Sequence, residues 1–338
     1  MTTPKGTILV TGANGGLGSA IVERIASRPE LAAYHGVYTV RDVAKAGPLQ
    51  SALQATKFHS HDVMSLDLSE LSSVREAAAT INAKVSAGEI PWIRALVLNA
   101  GCRDPQGQTR TKGGLDTAFA SNYLGHWLLV LLLLQSLDRD SGRINNVSGA
   151  FEEEKWKKIF VDASSGTVES VVKGTWSPSP DDPSKDPRGL SGIRRYGASK
   201  LCSIMMILEL QRRLNSDPEL SGISVLGVDP GLMPTKITTD TLSWPTRSLV
   251  FIMAHISSRI SPNGMMRLPR KSAGDILAAA LQTDPPFGER PKGLYFNGSE
   301  PKEVSVEAKD AEKRATVWKA SVDYAELKEG ETCLIYWA

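Results

Sequence analysis

Cysteine is scarce: Cys102, Cys202 and Cys333 are the only three in 338 residues, far apart and without a CxxC spacing. An odd number at such separations argues against a disulfide-framed scaffold and fits free thiols in a reducing compartment. Neither sign of charge is in excess, with 39 Lys+Arg against 37 Asp+Glu and a formal net charge of +2. No basic run reaches five residues, which argues against a nucleic-acid binder held by bulk charge. Long apolar runs are missing as well. The most apolar stretch, Trp127 to Leu134, falls far short of the roughly 20 residues that cross a bilayer. It reads instead as a fully buried helix, and packing across a subunit interface would make the protein a homodimer. The first residues run straight into Thr7-Ile8-Leu9-Val10, without the apolar run and small-residue cleavage site of a signal peptide. These absences predict a cytoplasmic protein with no membrane span.

What is present is an ordinary globular composition, 41% apolar and 22% charged, in a chain long enough to bury a substantial core. Short β-branched runs at residues 7–11, 36–40, 64–66, 95–98, 143–147 and 223–228 alternate with helical stretches at 17–26, 74–85, 115–137 and 198–214. Continuous apolar strands separated by helices predict an α/β fold, a doubly wound parallel sheet with helices on both faces. Two segments break the rhythm. Residues 150–195 are polar and rich in Pro, Ser, Asp and Lys, and 237–270 are irregular, with Trp244, Phe251 and Met265-Met266. The expected organisation is a dinucleotide-binding core over 1–236, holding the 150–195 insertion near its active site, and a segment 237–338 that completes the same domain as a substrate lid with a last strand and helix.

Thr11-Gly12-Ala13-Asn14-Gly15-Gly16-Leu17-Gly18 follows the first strand and opens a helix. Glycines at 12, 16 and 18 let the backbone turn sharply and approach a pyrophosphate, which the helix N-terminus then meets with unpaired N–H groups. The second strand ends in Val40-Arg41-Asp42. In a doubly wound site an acid there holds the 2′-hydroxyl of NAD, and a cation the 2′-phosphate of NADP. Arg41 is the candidate for the phosphate, with a solvated surface arginine as the other reading and Asp42 beside it.

The spacing Gly-x-x-x-Gly-x-Gly resembles the short-chain dehydrogenase/reductase family, and further motifs follow in the family's order. Asp67, with Leu68 next to it, matches the adenine-contacting acid. Leu98-Asn99-Ala100-Gly101 matches the Asn-Ala-Gly signature beside the cofactor ribose. Asn122 matches the helix asparagine that supports a water relay to the lysine. Asp229-Pro230-Gly231 followed by Thr235 matches the turn where a threonine meets the nicotinamide carboxamide. The resemblance implies cofactor-binding roles for Thr11, Gly12, Asn14, Gly16, Leu17, Gly18, Arg41, Asp67, Leu68, Asn99, Ala100, Gly101, Pro230, Gly231 and Thr235.

The chemistry would fall to Tyr196-Gly197-Ala198-Ser199-Lys200. Residues four apart share one helix face, so an ammonium at i+4 can sit beside the phenol. A phenol that exchanges protons near neutrality needs a shift of roughly three units from ~10, or roughly 4 kcal/mol. Tyr196 and Lys200 are the candidate proton donor and its partner, and both also contact the cofactor in the family. The family's fifth strand ends in Asn-Val-Ser-Ser, where this chain reads Asn146-Val147-Ser148-Gly149. Ser148 can replace the missing serine only if the strand end bulges. Otherwise Tyr196 alone, water, or Ser164 or Ser165 from the insertion meets the substrate oxygen.

The resemblance implies an NADP(H)-dependent oxidoreductase acting on the carbonyl or alcohol of a lipophilic small molecule. The long insertion before the tyrosine resembles that of relatives acting on alkaloids, terpenoids and retinoids. A cyclase or isomerase that keeps NADP(H) bound, or a non-catalytic cofactor-binding scaffold, are the alternatives.

Overall fold

The computed structural model describes residues 4–54, 59–104, 107–149, 165–186, 188–239 and 243–338. Eight strands form one sheet in the order β3-β2-β1-β4-β5-β6-β7-β8. They are β1 (Thr7–Thr11), β2 (His35–Val40), β3 (His61–Ser65), β4 (Ile93–Leu98), β5 (Arg143–Val147), β6 (Ser224–Asp229), β7 (Leu294–Asn297) and β8 (Glu300–Pro301). All neighbours are parallel except β7 and β8. The order reverses between β1 and β4, so the loops leaving those strands diverge and open a crevice at the carboxyl ends. The expected α/β architecture is the one observed.

The helices are α1 (Gly16–Ser27), α2 (Gly47–Leu53), α3 (Leu71–Ser86), α4 (Thr117–Ser136), α5 (Ser165–Val172), α6 (Leu190–Asn215), α7 (Trp244–Ile260), α8 (Pro269–Leu281) and α9 (Ala311–Ala325). One apolar cluster joins the sheet to α3, α4, α6 and α9. A second joins the opposite face to α1, α2 and α8. Strands buried on both faces account for the unbroken apolar runs.

Three expectations change. The apolar stretch in α4 has the length and composition of a membrane span, yet 94% of its window is buried inside the chain. Within the chain its cover is α9 and the C-terminal tail. Trp318 packs edge-on to Trp127 with centroids 5.2 Å apart, and Tyr123 Oη is hydrogen-bonded to Ser321 Oγ at 2.7 Å. Thr332 donates to the Leu131 carbonyl at 2.8 Å. Second, residues 237–270 are not irregular: they contain the 17-residue α7, which Trp244-Pro245 opens in its first turn, where proline costs no hydrogen bond. Third, α6 begins at Leu190, inside the stretch read as insertion. The rest of that insertion shows α5, and residues 150–164 and 187 lie outside the described residues.

Candidate active site

The crevice is built from the carboxyl ends of the strands. Gly12 adopts φ +65°, and a Cβ there would stand 2.8 Å from Ala100 Cα, so only glycine lets the two loops touch. A Cβ on Gly18 would fall 2.2 Å from the Gly12 carbonyl oxygen. The turn leads into α1, whose N-cap is Gly15 and whose first turn no side chain caps. Uncapped N–H groups at a glycine-lined helix start form a cradle that a Cβ would fill, and a dinucleotide pyrophosphate fits it. Gly16 faces Thr235: a Cβ there would stand 2.8 Å from Thr235 Cγ2, which brings the β1 and β6 loops together across the crevice.

Several residues assigned to the cofactor turn out to hold the loops. Thr11 is fully buried, and its Oγ1 accepts from the N–H groups of Asn99 and Ala100, both at 3.0 Å. It is also hydrogen-bonded to His126 Nε2 at 2.9 Å. Asn99 returns the tie, its Nδ2 donating to the Thr11 carbonyl at 2.9 Å. Asn14 Oδ1 accepts from Leu49 N at 3.2 Å and its Nδ2 donates to the Lys45 carbonyl at 3.1 Å, binding the glycine turn to the segment after β2. Leu17 and Leu68 are buried in the two cores. Pro230 accepts at its carbonyl from Ser272 Oγ at 2.7 Å, while Gly231, at φ +72°, donates its N–H to Asp229 Oδ1 at 2.8 Å.

At the end of β2, the Arg41 side chain is 67% exposed, with Nε 3.6 Å from Asp67 Oδ2. Asp67 also accepts from Ser69 N at 2.9 Å and Ser69 Oγ at 2.6 Å. Asp42 turns away to cap the next turn at Ala44 N and pairs with Lys45 at 3.0 Å. Two cations therefore stand where the residues of β2 meet the glycine turn. Lys45 was not singled out in the sequence, since only the fold brings it beside Asn14.

Tyr196 and Lys200 lie one turn apart on α6, with Lys200 Nζ 5.6 Å from the phenol ring centroid. Lys200 is buried and donates to the Val147 carbonyl at 3.1 Å. Burial pushes the ammonium down to about 8 and the phenol up to about 12. Loss of water raises the phenol, and the positive charge of Arg103 works against it.

Asn122 lies in a π-helical turn, Ala120–Leu124, within α4. Its Oδ1 accepts from Cys102 N at 2.7 Å, and its Nδ2 donates to the Cys102 carbonyl and to Ser199 Oγ, both at 3.0 Å. The wide turn opens its carbonyl to Ser203 Oγ and His126 Nδ1, both at 3.2 Å. Gly101 completes the group, since a Cβ on it would stand 3.4 Å from Asn122 Oδ1 and 3.7 Å from Lys200 Nζ. Ser199, Ser203 and His126 carried no sequence signal beyond being polar residues on apolar helices.

Ser148 is not brought to the group. The β5–β6 register runs without a shift from Arg143↔Ser224 to Val147↔Val228, and Ser148 N continues it to the Val228 carbonyl at 3.1 Å. Without a bulge the side chain points inward, fully buried, and its Oγ donates to the Lys200 carbonyl at 3.3 Å. Among the described residues Gly149 has room, as an added Cβ would meet Asp229 Oδ1 at 3.8 Å. Of the substitutes, Ser164 lies outside the described residues and Ser165 opens α5.

Missed altogether was Arg195, which precedes the tyrosine. It is buried, pairs through Nε with Asp116 Oδ2 at 3.0 Å and donates to the Ser177 carbonyl at 2.7 Å. It fastens the insertion and the start of α4 to the helix that carries Tyr196. Beside the glycine turn lies a cleft of about 430 Å³, lined by Gly16, Thr235, Trp244, Arg247 and Phe251 among others.

Comparison with known proteins converges on one family. The family model described as short chain dehydrogenase matches residues 6–166. The short-chain dehydrogenase iccH of Talaromyces variabilis is 41% identical over 367 aligned positions, covering 98% of this chain and 99% of its relative. Among solved structures, an uncharacterised protein of Mycobacterium paratuberculosis superposes with a TM-score of 0.62 at 23% identity, covering 96% of this chain and 95% of that one. The NADPH-bound carbonyl reductase from chicken fatty liver gives 0.57 at 17% identity, covering 89% and 99%. These two likenesses are of fold.

Proposed function

The chain belongs to the short-chain dehydrogenase/reductase family, whose NAD(P)-dependent activity interconverts CH–OH and C=O, and from that premise we propose that it is an NADPH-dependent reductase of a lipophilic ketone or aldehyde. The observation that carries the proposal is the pair Tyr196 and Lys200, the tyrosine half-buried and the lysine buried, held beside Asn122 and Gly101 at the crevice. NADPH, when bound, would supply the hydride. The uncapped start of α1 would hold its pyrophosphate, Thr235 would lie toward its nicotinamide end, and Arg41 with Lys45 would meet the 2′-phosphate. Arg41 is exposed and its ion pair with Asp67, at 3.6 Å, is open to solvent, so it can turn to a phosphate at little cost.

A phenol pushed up to about 12 is protonated throughout the neutral range, as a proton donor must be. Tyr196 would deliver the proton from Oη to the substrate oxygen. Lys200, still largely an ammonium below its value of about 8, would stabilise the phenolate left behind. Asn122 and Val147 orient the lysine's surroundings from either side, the first through the loop at Cys102 and the second by accepting from Nζ. The apolar walls of the cleft, Trp244 and Phe251, support a lipophilic substrate.

The inward Ser148 and the glycine at 149 favour a second reading, a cyclase or isomerase that keeps NADP(H) without net redox, since the family's hydroxyl toward the substrate oxygen is not supplied by β5. NADPH deuterated at the transferring position separates the two. Incubated with a panel of lipophilic ketones, the reductase moves deuterium to the carbinol carbon in step with NADPH consumption. Product formation without deuterium transfer or NADPH loss would establish the second reading.

A further inference from the structure

Helix α7 carries an apolar face that none of the described residues covers. Ala254 is buried against the body of the protein, while Leu249, Ile252, Met253, Ile256 and Ile260 are each between 48% and 79% exposed. Their spacings of three and four place them on one stripe, roughly 16 Å long, directed away from Ala254. Such a stripe normally faces a core. Trp244 is 79% exposed at one end of the helix, and Met265 is 72% exposed just beyond the other.

The exposed charges carried by α7 and the start of α8 are the cations Arg247, Arg259 and Arg270, while Lys271 is paired with Asp275 at 2.6 Å. From residue 241 to 274 the sequence contains no Asp or Glu, but it contains Arg247, Arg259, Arg267, Arg270 and Lys271. Arg259 and Arg270 are exposed, whereas Arg267 is buried under Asp229 and Asn263. The whole chain is near neutral, so this segment is a local departure from the mean.

We propose that α7 is a docking surface for an anionic lipid leaflet, lying in the plane of the interface with its aliphatic stripe in the acyl boundary and its arginines at the headgroups. An exposed aliphatic face combined with positive charge and an indole at the edge is what such a boundary recognises. At 17 residues the helix is about 26 Å long, shorter than the hydrocarbon core, and it carries arginines, so it lies on the membrane and does not cross it.

The test is flotation of the full chain with vesicles of phosphatidylcholine alone and of phosphatidylcholine mixed with phosphatidylserine, in low and high salt. The protein should float with the anionic vesicles only, and salt should release it. Ile256→Glu with Ile260→Glu should reduce partitioning by about tenfold or more, and Arg259→Gln with Arg270→Gln by about tenfold. Both positions in each pair are on the surface, and unchanged NADPH binding in the same preparations reports an intact fold. Wild-type protein that stays off anionic vesicles, or that binds neutral and anionic vesicles alike, overturns the proposal. So does a dimer in sedimentation that Ile256→Glu splits while no preparation floats, since the stripe is then a contact between copies.

Discussion

The two banks of the crevice are built differently. On one, the loops leaving β1 and β4 are bonded to each other atom by atom: Thr11 Oγ1 serves two N–H groups, and Asn99 closes the ring to the Thr11 carbonyl. On the other, the loop leaving β6 is tied to the segment before α8, Leu232 donating to the Met265 carbonyl at 2.7 Å and accepting from Arg267 N at 2.8 Å, and it is fastened at its root. There the buried Arg267 donates to the Asp229 carbonyl at 2.7 Å and the Asn263 carbonyl at 2.6 Å, and also bonds Asn297. Above that root, α7 carries its aliphatic side chains outward. The first bank has one shape to present, whatever the substrate. The second is anchored as a frame whose outer face is open to change.

The largest expected effect comes from the lysine beside the first bank, next to Gly101. Lys200→Ala should lower kcat by roughly 10²–10⁴-fold and weaken NADPH binding as well, read by steady-state kinetics and cofactor titration. A loss confined to kcat would place the lysine on the proton side alone. The cover over α4 comes next. Trp318 is buried against Trp127, with the Arg213 guanidinium 4.4 Å from its ring. Trp318→Ala should cost about 3–5 kcal/mol in denaturant unfolding. A smaller loss would mean that α9 is a loose cover, and that the apolar helix relies on something else.

Arg41→Ala sharpens the account of the rigid bank, and should erase a preference for NADPH over NADH of roughly ten- to a hundredfold in Kd. Equal affinities in the unaltered protein would remove the basis for an NADPH assignment. The smallest effect is expected at Ser148, whose hydroxyl serves the Lys200 carbonyl. Ser148→Ala should slow turnover by less than about tenfold, against the 10²–10³ typical of a donor aimed at the oxyanion. A drop in the larger range would mean that the β5 end rearranges when substrate binds. The pH profile adds a sign. Activity in the reductive direction should fall on the alkaline side as Lys200, held down to about 8 by burial, loses its proton, while the phenol at about 12 keeps its own. A kcat/KM that stays flat well above pH 8 would separate the lysine charge from catalysis.

The rigid bank was the legible one. Its glycine turn, Asn-Ala-Gly and Tyr-x-x-x-Lys are short, local in sequence, and dictated by a cofactor that does not vary. All six strands expected up to residue 228 are found, those at 7–11 and 143–147 with the expected ends and the other four with shifted ends. Roles were harder to read than positions: Thr11 and Asn14 sit at the cofactor turn, but their side chains hold loops, because a buried hydroxyl or amide must find partners wherever the fold offers them. The helix over 244–260 was hidden by its aromatic and methionine content and by an apolar face pointing outward, which inverts the usual pattern. Arg195 and Lys45 depend on contacts across long separations, to Asp116 and toward Asn14, that no spacing reveals. Ser148 turned on one question, whether β5 bulges, and the pairing with β6 answers it.

The most direct test of the central claim is Tyr196→Phe, measured for ketone reduction and for NADPH binding on one preparation. The account predicts a fall in kcat of roughly 10²–10⁴-fold with the NADPH dissociation constant nearly unchanged, because only the transferable proton is removed. Turnover that survives the substitution largely intact would contradict it.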